Sequence, residues 1–577
     1  MAAERLAAGI GVVGVVGAGT MGAGIAQVAA AAGCRVLLHD VSDAQLQRAV
    51  DQIGRRLRRA VERGRLDAAQ ADATLARIRT TTSLDDLAPS DVVIEAAPED
   101  MDLKRRILGR LGEICSPEAV LTSNTSSLSI TALGAASGRP DRFAGLHFFN
   151  PAPVMPLVEI IAGHGTAPGT VRLLEDLSRR FGKTPVIARD TPGFIVNRVA
   201  RPFYGEALRL LGEGLVDVST ADRVVRAAGF RMGPFELMDL IGIDVNFAVT
   251  CSVWEAYFHE ARYRPHPIQR RLVEAGALGR KTGRGFYRYE EGADPEPVVG
   301  PAPVAPPAGV GDGAPAGRQR WFVTGGGPAA EALAARAQAA GIQVERSPEP
   351  REPEERPDLA LDLEPAWGEE RLRRAGILDD LLPPGVPLAI ACWGGTLREL
   401  RAAVGPDRPL AGFNLWVPLA DEPVIEWVVP VHPAAGATGA GATGAGAAGA
   451  GAAGTGAGAG AGAGTGTAGA AGPWLAALTA SRALAAAGFA PAWVGDAPGG
   501  VVGRIVSMLV NEAAFAVAEG VAEPAAIDTA MKLGTNYPRG PWAWYAEAAP
   551  LVRAVLEGLH RHYREERYRP APLLVQP

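Results

Sequence analysis

The pattern Gly17-x-Gly19-x-x-Gly22 limits the possible folds of this chain, because it stands between an apolar run and an Ala-rich segment. The run Val12–Val16 has the β-branched composition of a buried strand, and a second such run, Arg35–His39, follows the Ala-rich segment. The glycines permit a tight turn and let the backbone approach a pyrophosphate at a helix N-terminus. The order strand, turn, helix and strand therefore predicts an α/β dinucleotide-binding domain.

An acidic residue follows this unit at the expected distance. Asp40 closes the second strand roughly 20 residues after the glycines, where a carboxylate accepts hydrogen bonds from an adenosine ribose and repels a 2′-phosphate. The motif thus favours NAD over NADP. The alternative is a glycine-rich turn without a ligand.

A histidine and a glutamate on neighbouring apolar runs indicate chemistry. His147 lies in Phe143–Phe149, which is typical of a buried strand, and Glu159 lies in the short run Leu157–Ile161 after a Pro-broken turn. A buried carboxylate beside an imidazole stabilises the imidazolium and fixes the ring tautomer, as a histidine general base requires. The competing interpretation is a core histidine bonded to a structural glutamate.

Composition narrows the class of protein. A chain of 577 residues is too long for one core and predicts three or four domains. Its 57 basic and 63 acidic residues give a net charge of −6, so neither nucleic acid nor an anionic membrane is expected as a partner. Four scattered cysteines indicate a reducing, cytoplasmic location without a metal site. The apolar run Ile10–Val16 predicts a first strand rather than a signal peptide, and no membrane span is expected.

Several polar residues follow predicted strands. In an open parallel sheet the carboxyl ends of the strands line the cofactor crevice, so we expect Glu99, Ser126 and His147 at one edge. An Arg-rich helical pair at 43–80 carries Arg56 and Arg63, and it is either a solvated face or a basic arm that meets a phosphorylated substrate.

The segments after this domain change character. Residues 190–291 are amphipathic without a strand pattern and predict a helical second domain. The Pro, Gly and Ala content of 292–318 predicts a linker.

Residues 11–289 resemble the 3-hydroxyacyl-CoA dehydrogenase family. The matching motifs are G-A-G-T-M-G at 17–22, S-N-T-S-S-L at 123–128, H-F-F-N-P at 147–151, D-T-P-G-F-I-V-N-R at 190–198, G-P-F-E at 233–236 and K-T-G-R-G-F-Y at 281–287. The resemblance implies a Rossmann domain, a helical C-terminal domain that mediates dimerisation, and oxidation of (S)-3-hydroxyacyl-CoA to 3-oxoacyl-CoA with NAD.

The resemblance also implies roles for individual residues. His147 would remove the hydroxyl proton, Glu159 would orient it, Ser126 would bind the substrate oxygen near the nicotinamide, and Asn197 would hold the reacting acyl end. The positions that match the family's NAD contacts are Gly17, Gly19, Thr20, Met21, Gly22, Asp40, Glu99, Lys104, Ser126, Asn150 and Lys281. Arg56 and Arg63 fall where relatives contact CoA.

The chain then repeats itself. The segment 408–426 echoes 142–159, 496–504 echoes 190–198, and Tyr537–Trp542 echoes Phe230–Phe235. We therefore predict a diverged copy with a Rossmann-like domain at 319–495 and a helical domain at 496–577, after a first Rossmann domain at 1–189. The two copies are expected to pack as a pseudo-dimer within one chain, and further homo-oligomerisation is left open.

The second copy has lost its chemistry. Asn414 replaces the histidine, Gly503 replaces Asn197, and Trp393-Gly-Gly-Thr396 replaces the Ser126 turn, so no NAD turnover is expected there. The Gly/Ala/Thr tract at 434–472 is interpreted as a disordered surface insertion inside this copy.

The leading hypothesis is an NAD-dependent 3-hydroxyacyl-CoA dehydrogenase with one working site per chain. The resemblance extends to long bacterial enzymes that act on 3-hydroxyadipyl-CoA in phenylacetate breakdown, and 3-hydroxybutyryl-CoA is the other candidate substrate. Two alternatives are a dehydrogenase of the same fold that acts on a sugar acid such as gulonate, and a non-catalytic structural protein that binds NAD.

Overall fold

The computed structural model describes residues 9–301, 304, 318–417, 419, 421–430 and 468–575, with side chains described from residue 474 onward in the last range. The first half is built on an eight-stranded sheet of order β3-β2-β1-β4-β5-β6-β7-β8. Its strands are β1 (Val12–Val16), β2 (Arg35–His39), β3 (Ile78–Thr81), β4 (Val92–Glu95), β5 (Val120–Ser123), β6 (Phe143–Phe148), β7 (Leu157–Ala162) and β8 (Thr184–Arg189). The strands pair in parallel except β6 with β7, so the predicted Rossmann fold is confirmed.

Helices cover both faces of this sheet. They are α1 (Thr20–Ala31), α2 (Asp43–Glu62), α3 (Ala68–Ala76), α4 (Met101–Ile114), α5 (Ile130–Ala136) and α6 (Pro168–Arg180). Two separate apolar clusters fill the faces, which explains why the strands are continuous apolar runs instead of alternating ones. The helices begin at polar caps: the Ser42 side chain accepts a hydrogen bond from Gln45 N, and Asp100 accepts one from Leu103 N.

The next segment is helical, as its amphipathic pattern predicts. Its helices are α7 (Val196–Val199), α8 (Arg201–Gly212), α9 (Val218–Ala227), α10 (Pro234–Ile241), α11 (Ile243–Ala256) and α12 (Pro267–Glu274). Two short strands follow, β9 (Tyr287–Arg288) and β10 (Glu296–Pro297), and they pair antiparallel. Part of the segment expected to be a linker, 292–318, is therefore held against the helical domain, and residues 302–303 and 305–317 lie outside the described residues.

The second half repeats this plan with a smaller sheet of order β12-β11-β13-β14-β15-β16-β17. The elements are β11 (Arg320–Thr324), α13 (Pro328–Ala339), β12 (Gln343–Ser347), β13 (Leu359–Asp362), α14 (Glu369–Leu381), β14 (Leu388–Ala391), α15 (Leu397–Ala403), β15 (Leu410–Asn414), β16 (Val424–Val429), α16 (Ala468–Ala485) and β17 (Ala490–Gly495). Between β12 and β13, residues 348–358 form no helix or strand, so this copy has no counterpart of α2, α3 and β3. Of the tract predicted as a disordered insertion, 434–472, residues 434–467 lie outside the described residues, whereas 468–472 belong to α16 and are helical.

The second helical domain comprises α17 (Val502–Ala518), α18 (Pro524–Thr535), α19 (Pro541–Tyr563) and α20 (Pro572–Val575). One continuous apolar cluster joins it to the first helical domain and to the second sheet. Helices α8 and α17 pack against each other across the centre of this cluster.

Within the described ranges, no single helix is long and apolar enough to cross a membrane. The pair α10 and α11 meets such a criterion together by length and composition alone, and it is bent by 99°.

Candidate active site

The antiparallel pairing of β6 with β7 places His147 directly opposite Glu159. His147 Nδ1 lies 2.7 Å from Glu159 Oε2, and the two residues are 4% and 0% exposed. A carboxylate at this distance holds the proton of a neutral imidazole on Nδ1 and leaves Nε2 as the acceptor. The structure therefore brings the two residues into the geometry that a general base needs.

The second oxygen of Glu159 connects the sheet to the helical domain. Oε1 accepts hydrogen bonds from Ile195 N at 3.1 Å and from Val196 N at 2.9 Å, at the start of α7. A carboxylate is favourable at a helix N-terminus because the first amide groups lack intrahelical partners. Asn197 follows directly on this helix and lines the same cleft as His147.

Ser126 occupies the other side of the imidazole. Its Oγ lies 3.1 Å from His147 Nε2, at the end of a turn that follows β5. Glu99 holds this turn, since Oε1 accepts hydrogen bonds from Thr125 Oγ1 at 2.6 Å and from Ser126 N at 2.9 Å. Burial alone would raise the pKa of Glu99, but the hydrogen bond from Thr125 and the charge of Lys104 lower it below its usual value.

Lys104 stands behind this turn, not in the open cleft. It is 1% exposed, and its Nζ lies 2.7 Å from Glu95 Oε1 and 3.5 Å from Glu99 Oε2. Glu95 also accepts a hydrogen bond from Ser123 Oγ at 2.5 Å. Glu95 is not among the residues predicted from the sequence, because it is the last residue of an apolar strand. A lone acid in such a run is nevertheless a signal of a buried ion pair.

The residues around the first turn fit a dinucleotide. A Cβ on Gly22 would lie 1.8 Å from Gly17 O, and Gly17 has φ +94°, so neither position accepts a side chain. A Cβ on Gly19 would meet nothing within 4 Å, so the backbone at the start of α1 is open to a phosphate. Asp40 accepts hydrogen bonds from Ala18 N at 2.8 Å and Ser42 N at 3.1 Å, which fixes its carboxylate beside the turn.

The other positions matched to cofactor contacts are distributed over the cleft and its surroundings. Met21 and Asn150 line the cleft with His147, and Thr20 is exposed at the start of α1. Lys281 belongs to the helical domain, where its Nζ lies 2.7 Å from Asp244 Oδ2.

The two arginines expected to meet CoA both lie near the end of α2. Arg56 is half-buried, and its Nη1 has no hydrogen-bond partner among the described residues. Arg63 is exposed directly after the helix. Their contact with a substrate remains a prediction.

The cleft itself has a volume of about 1010 Å³, including its open mouth. Several residues that line the cleft were not predicted from the sequence. They come from three helices: Arg201 and Tyr204 from α8, Asn246 from α11, and Gly534 and Thr535 from α18. The last two belong to the second copy. A local pattern gives no signal for a wall that comes from more than 300 residues further along the chain.

The matching position in the second copy is built differently. Asn414 and Glu426 face each other on β15 and β16, yet both polar atoms of the Asn414 amide lack a hydrogen-bond partner within the described part of the chain. Trp367 packs against Gly394 and Gly395, the turn that replaces Ser126. Aromatic surface therefore occupies this position, and the pair of Asn414 and Glu426 contains no imidazole.

Known proteins match the whole chain and its parts. A family model described as the NAD-binding domain of 3-hydroxyacyl-CoA dehydrogenase matches residues 12–191, and the model of its C-terminal domain matches 193–289 and again 499–576. A 3-hydroxyadipyl-CoA dehydrogenase of Escherichia coli is 38% identical over 566 residues, which are 98% of this chain and 96% of that protein. A 3-hydroxybutyryl-CoA dehydrogenase of Bradyrhizobium diazoefficiens is 44% identical over 294 residues, 51% of this chain and 100% of that protein.

A solved structure agrees with these sequences. The crystal structure of a 3-hydroxybutyryl-CoA dehydrogenase from Escherichia coli matches with a TM-score of 0.73 and 37% identity, over 98% of this chain and 97% of that chain.

The fold and the site define the class of this enzyme as an NAD-dependent dehydrogenase that oxidises hydroxyl groups. The defining features are a Rossmann sheet, an open glycine turn and a buried histidine–glutamate pair beside one cleft. The chain belongs to the 3-hydroxyacyl-CoA dehydrogenase family. It is an oxidoreductase with NAD as cofactor and an acyl-CoA as substrate. The sugar-acid and non-catalytic alternatives find no support in these matches.

Proposed function

We propose that the first half of this chain oxidises (S)-3-hydroxyacyl-CoA to 3-oxoacyl-CoA and that the second half has no turnover of its own. One observation carries this proposal: His147 Nε2 opens to a cleft that Ser126 and Asn197 also line, while Nδ1 is bound to Glu159. The substrates named for the relatives, 3-hydroxyadipyl-CoA and 3-hydroxybutyryl-CoA, are the two candidates.

The geometry supports a direct sequence of proton and hydride movement. When bound, NAD supplies the acceptor for the hydride that leaves C3 of the substrate. His147 Nε2 accepts the hydroxyl proton as the C3–H bond breaks, so the alcohol loses two electrons and two hydrogens and becomes a ketone. Glu159 stabilises the resulting imidazolium through Nδ1–H. Ser126 and Asn197 would hold the substrate oxygen and the thioester end in this arrangement.

The first prediction concerns His147→Gln, which removes the base but keeps a polar side chain. We expect kcat for NADH formation to fall by about 10²- to 10⁴-fold, the usual contribution of a positioned general base. The measurement is absorbance at 340 nm with NAD and either (S)-3-hydroxybutyryl-CoA or (S)-3-hydroxyadipyl-CoA.

Asn414→Ala is the matched control, because Asn414 holds the same strand position in the second copy. The kcat of Asn414→Ala should stay within a factor of about two of that of the unmodified chain, since a change in the second copy leaves the reacting groups of the first copy in place. Full activity of His147→Gln, or equal loss in both variants, would place the chemistry elsewhere.

We further propose that the two copies form a pseudo-dimer within one chain, with domain boundaries after residues 189, 291, 318 and 495. Strands β8 and β17 end at Arg189 and Gly495, which agrees with the first and last of these boundaries. A cytoplasmic location is supported by the four cysteines, all of which are free thiols.

A further inference from the structure

A buried arginine lies in the substrate cleft without an anionic partner. Arg201 is 7% exposed at the start of α8 and lines the same cleft as His147 and Asn197. Its Nε donates to Asn197 O at 2.7 Å, and its Nη1 donates to Thr250 Oγ1 at 3.0 Å. Both acceptors are neutral, so the charge of the guanidinium is not compensated by them.

No carboxylate in the described part of the chain lies within ion-pair distance of Arg201. Other buried arginines of the same part all have one, which shows how this fold ordinarily treats such a charge. These arginines are Arg198, Arg209, Arg371, Arg374, Arg408, Arg504 and Arg567. Burial of an unpaired charge costs free energy. An unpaired arginine in the substrate cleft therefore indicates that a ligand brings the anion that pairs with it.

The surroundings of Arg201 suit an anion that is bound by hydrogen bonds. The guanidinium carbon lies 5.1 Å from the centroid of the Tyr204 ring, which orients the group without neutralising it. The hydroxyl of Tyr537, from the second copy, is buried and has no hydrogen-bond partner among the described residues. Burial lowers the pKa of Arg201, and nearby Tyr204 and Tyr537 counteract this effect. An arginine nevertheless stays protonated at physiological pH.

The contact between Arg201 and Asn197 places the guanidinium close to the reacting carbon. Asn197 lies on α7 and Arg201 begins α8, and Arg201 Nε donates to Asn197 O at 2.7 Å. In a six-carbon chain the terminal carboxylate lies three carbon–carbon bonds beyond C3, each of about 1.5 Å. A substrate with C3 beside His147 and Asn197 would therefore extend its far end toward Arg201.

We propose that Arg201 binds the terminal carboxylate of a dicarboxylic 3-hydroxyacyl-CoA and so selects this substrate class over monocarboxylic chains of equal length. This proposal rests on the proposed function and assigns its specificity. The carboxylate would pair with the fork of the guanidinium. At the matching position the second copy has Ser507, so the charge is absent from the copy that also lacks the base.

The test compares two six-carbon substrates that differ only at the far end: (S)-3-hydroxyadipyl-CoA, with a carboxylate, and (S)-3-hydroxyhexanoyl-CoA, with a methyl group. The unmodified chain should prefer the first in kcat/KM. In Arg201→Met the ratio of the two kcat/KM values should fall by about 10- to 150-fold, the effect of losing a charged hydrogen-bonded pair. Arg201→Lys should retain part of the ratio, because it keeps the charge but not the fork.

Arg209→Met is the matched control. Arg209 is a buried arginine on the same helix with its own carboxylate, Glu206, at 3.2 Å. Arg209→Met should lower the melting temperature of the chain and leave the ratio of the two kcat/KM values unchanged. Because the readout is a ratio within one preparation, partial misfolding of either variant does not affect it.

The outcomes separate the two proposals. If the unmodified chain oxidises neither substrate, the proposed function fails. If it oxidises both and Arg201→Met lowers both kcat/KM values equally or leaves the ratio intact, the assignment of Arg201 is overturned and the dehydrogenase activity stands.

Discussion

At the scale of single residues, two strand positions show how one exchange removes a catalytic base. Glu159 and Glu426 occupy corresponding places, and each accepts two backbone N–H groups at the start of a helix. Glu159 also has His147 at 2.7 Å, whereas Glu426 faces Asn414 without a hydrogen bond to it. Burial raises the pKa of Glu426 to about 7, although hydrogen bonds from Val501 N and Val502 N act against this rise. The second copy therefore keeps the carboxylate for its helix contact alone.

The pKa of Glu426 leads to a prediction about stability and pH. Its pKa is higher in the folded chain than its ordinary value, so the folded state binds the extra proton and stability falls as pH rises from about 4.5 to about 7. Glu426→Gln cannot ionise, so its free energy of unfolding relative to the unmodified chain should be about 1–3 kcal/mol higher at pH 8 than at pH 5. The glutamine loses one of the two oxygens that accept Val501 N–H and Val502 N–H, and this loss acts equally at both pH values.

The measurement is the difference in melting temperature between variant and unmodified chain at pH 5 and at pH 8. The melting temperature of the variant should increase relative to that of the unmodified chain as pH rises. The contributions of titratable groups common to both proteins cancel in this difference. A constant difference at the two pH values would show that Glu426 titrates normally.

At the scale of elements, a helix of the second copy forms part of the cleft that contains His147. Helix α18 packs on β7, β8 and α7, which carry or adjoin Glu159 and Asn197. At its C-terminal end, Gly534 lies so close that a Cβ would be 2.8 Å from a Leu157 methyl and 3.0 Å from a Val196 methyl. The second copy thus fixes the position of the helix that follows the catalytic carboxylate.

This contact predicts an effect of Gly534→Val on catalysis, although the residue is far from the base in sequence. The added side chain should displace Val196 and its neighbour Asn197, and displacements of about 1 Å commonly cost 10²-fold in rate. We expect kcat/KM to fall by about 10- to 100-fold while NAD binding, measured by fluorescence titration, is unchanged. Ala525→Val, on the exposed side of the same helix, should leave both quantities intact. A normal kcat/KM for Gly534→Val would mean that α18 only covers the cleft.

At the scale of the whole molecule, the two copies contact each other reciprocally. Arg198 Nε lies 2.7 Å from Glu512 Oε1, and Arg504 Nε lies 2.8 Å from Glu206 Oε2. Tyr263 bonds Glu512 and Tyr568 bonds Glu206 in the same sense. Such exchange of identical contacts is the signature of an isologous two-fold interface.

Removal of one partner at this interface should be strongly destabilising. Burial would raise the pKa of Glu206, but Arg209 and Arg504 lower it, so the carboxylate is charged in the folded chain. Arg504→Met leaves this buried charge partly uncompensated and should lower the free energy of unfolding by about 3–5 kcal/mol. Urea unfolding followed by fluorescence measures this change.

Two comparisons sharpen this measurement. The double variant Arg504→Met with Glu206→Gln should recover only part of the loss, since the uncompensated carboxylate is gone but Arg209 then lacks its ion-pair partner. Arg270→Met removes an exposed ion pair with Glu274 and should change stability by less than about 1 kcal/mol. Equal effects of Arg504→Met and Arg270→Met would show that the reciprocal pairs do not hold the two copies together.

Local sequence patterns predicted much of the fold because the interactions they record are local. The glycine turn at 17–22, the apolar strands and the internal repeat each reflect backbone conformation or burial within a few residues. They placed Glu99, Ser126 and His147 at one edge of the sheet, and in the structure Ser126 and His147 line one cleft while Glu99 holds the turn that carries Ser126. Lys104 stays a predicted cofactor contact, and its burial could not be predicted from the sequence because its ion-pair partner, Glu95, belongs to another element.

Sequence patterns alone predict the fold class, the dinucleotide turn, the histidine–glutamate pair and the loss of that pair in the second copy. They do so because each feature depends on residue type and on spacing along the chain. Packing between distant parts of the chain decides that the second copy supplies Gly534 and Thr535 to the cleft and that Arg201 lies there with no ion-pair partner among the described residues. These facts depend on which distant surfaces meet, and packing between elements hundreds of residues apart leaves no periodic trace in the chain.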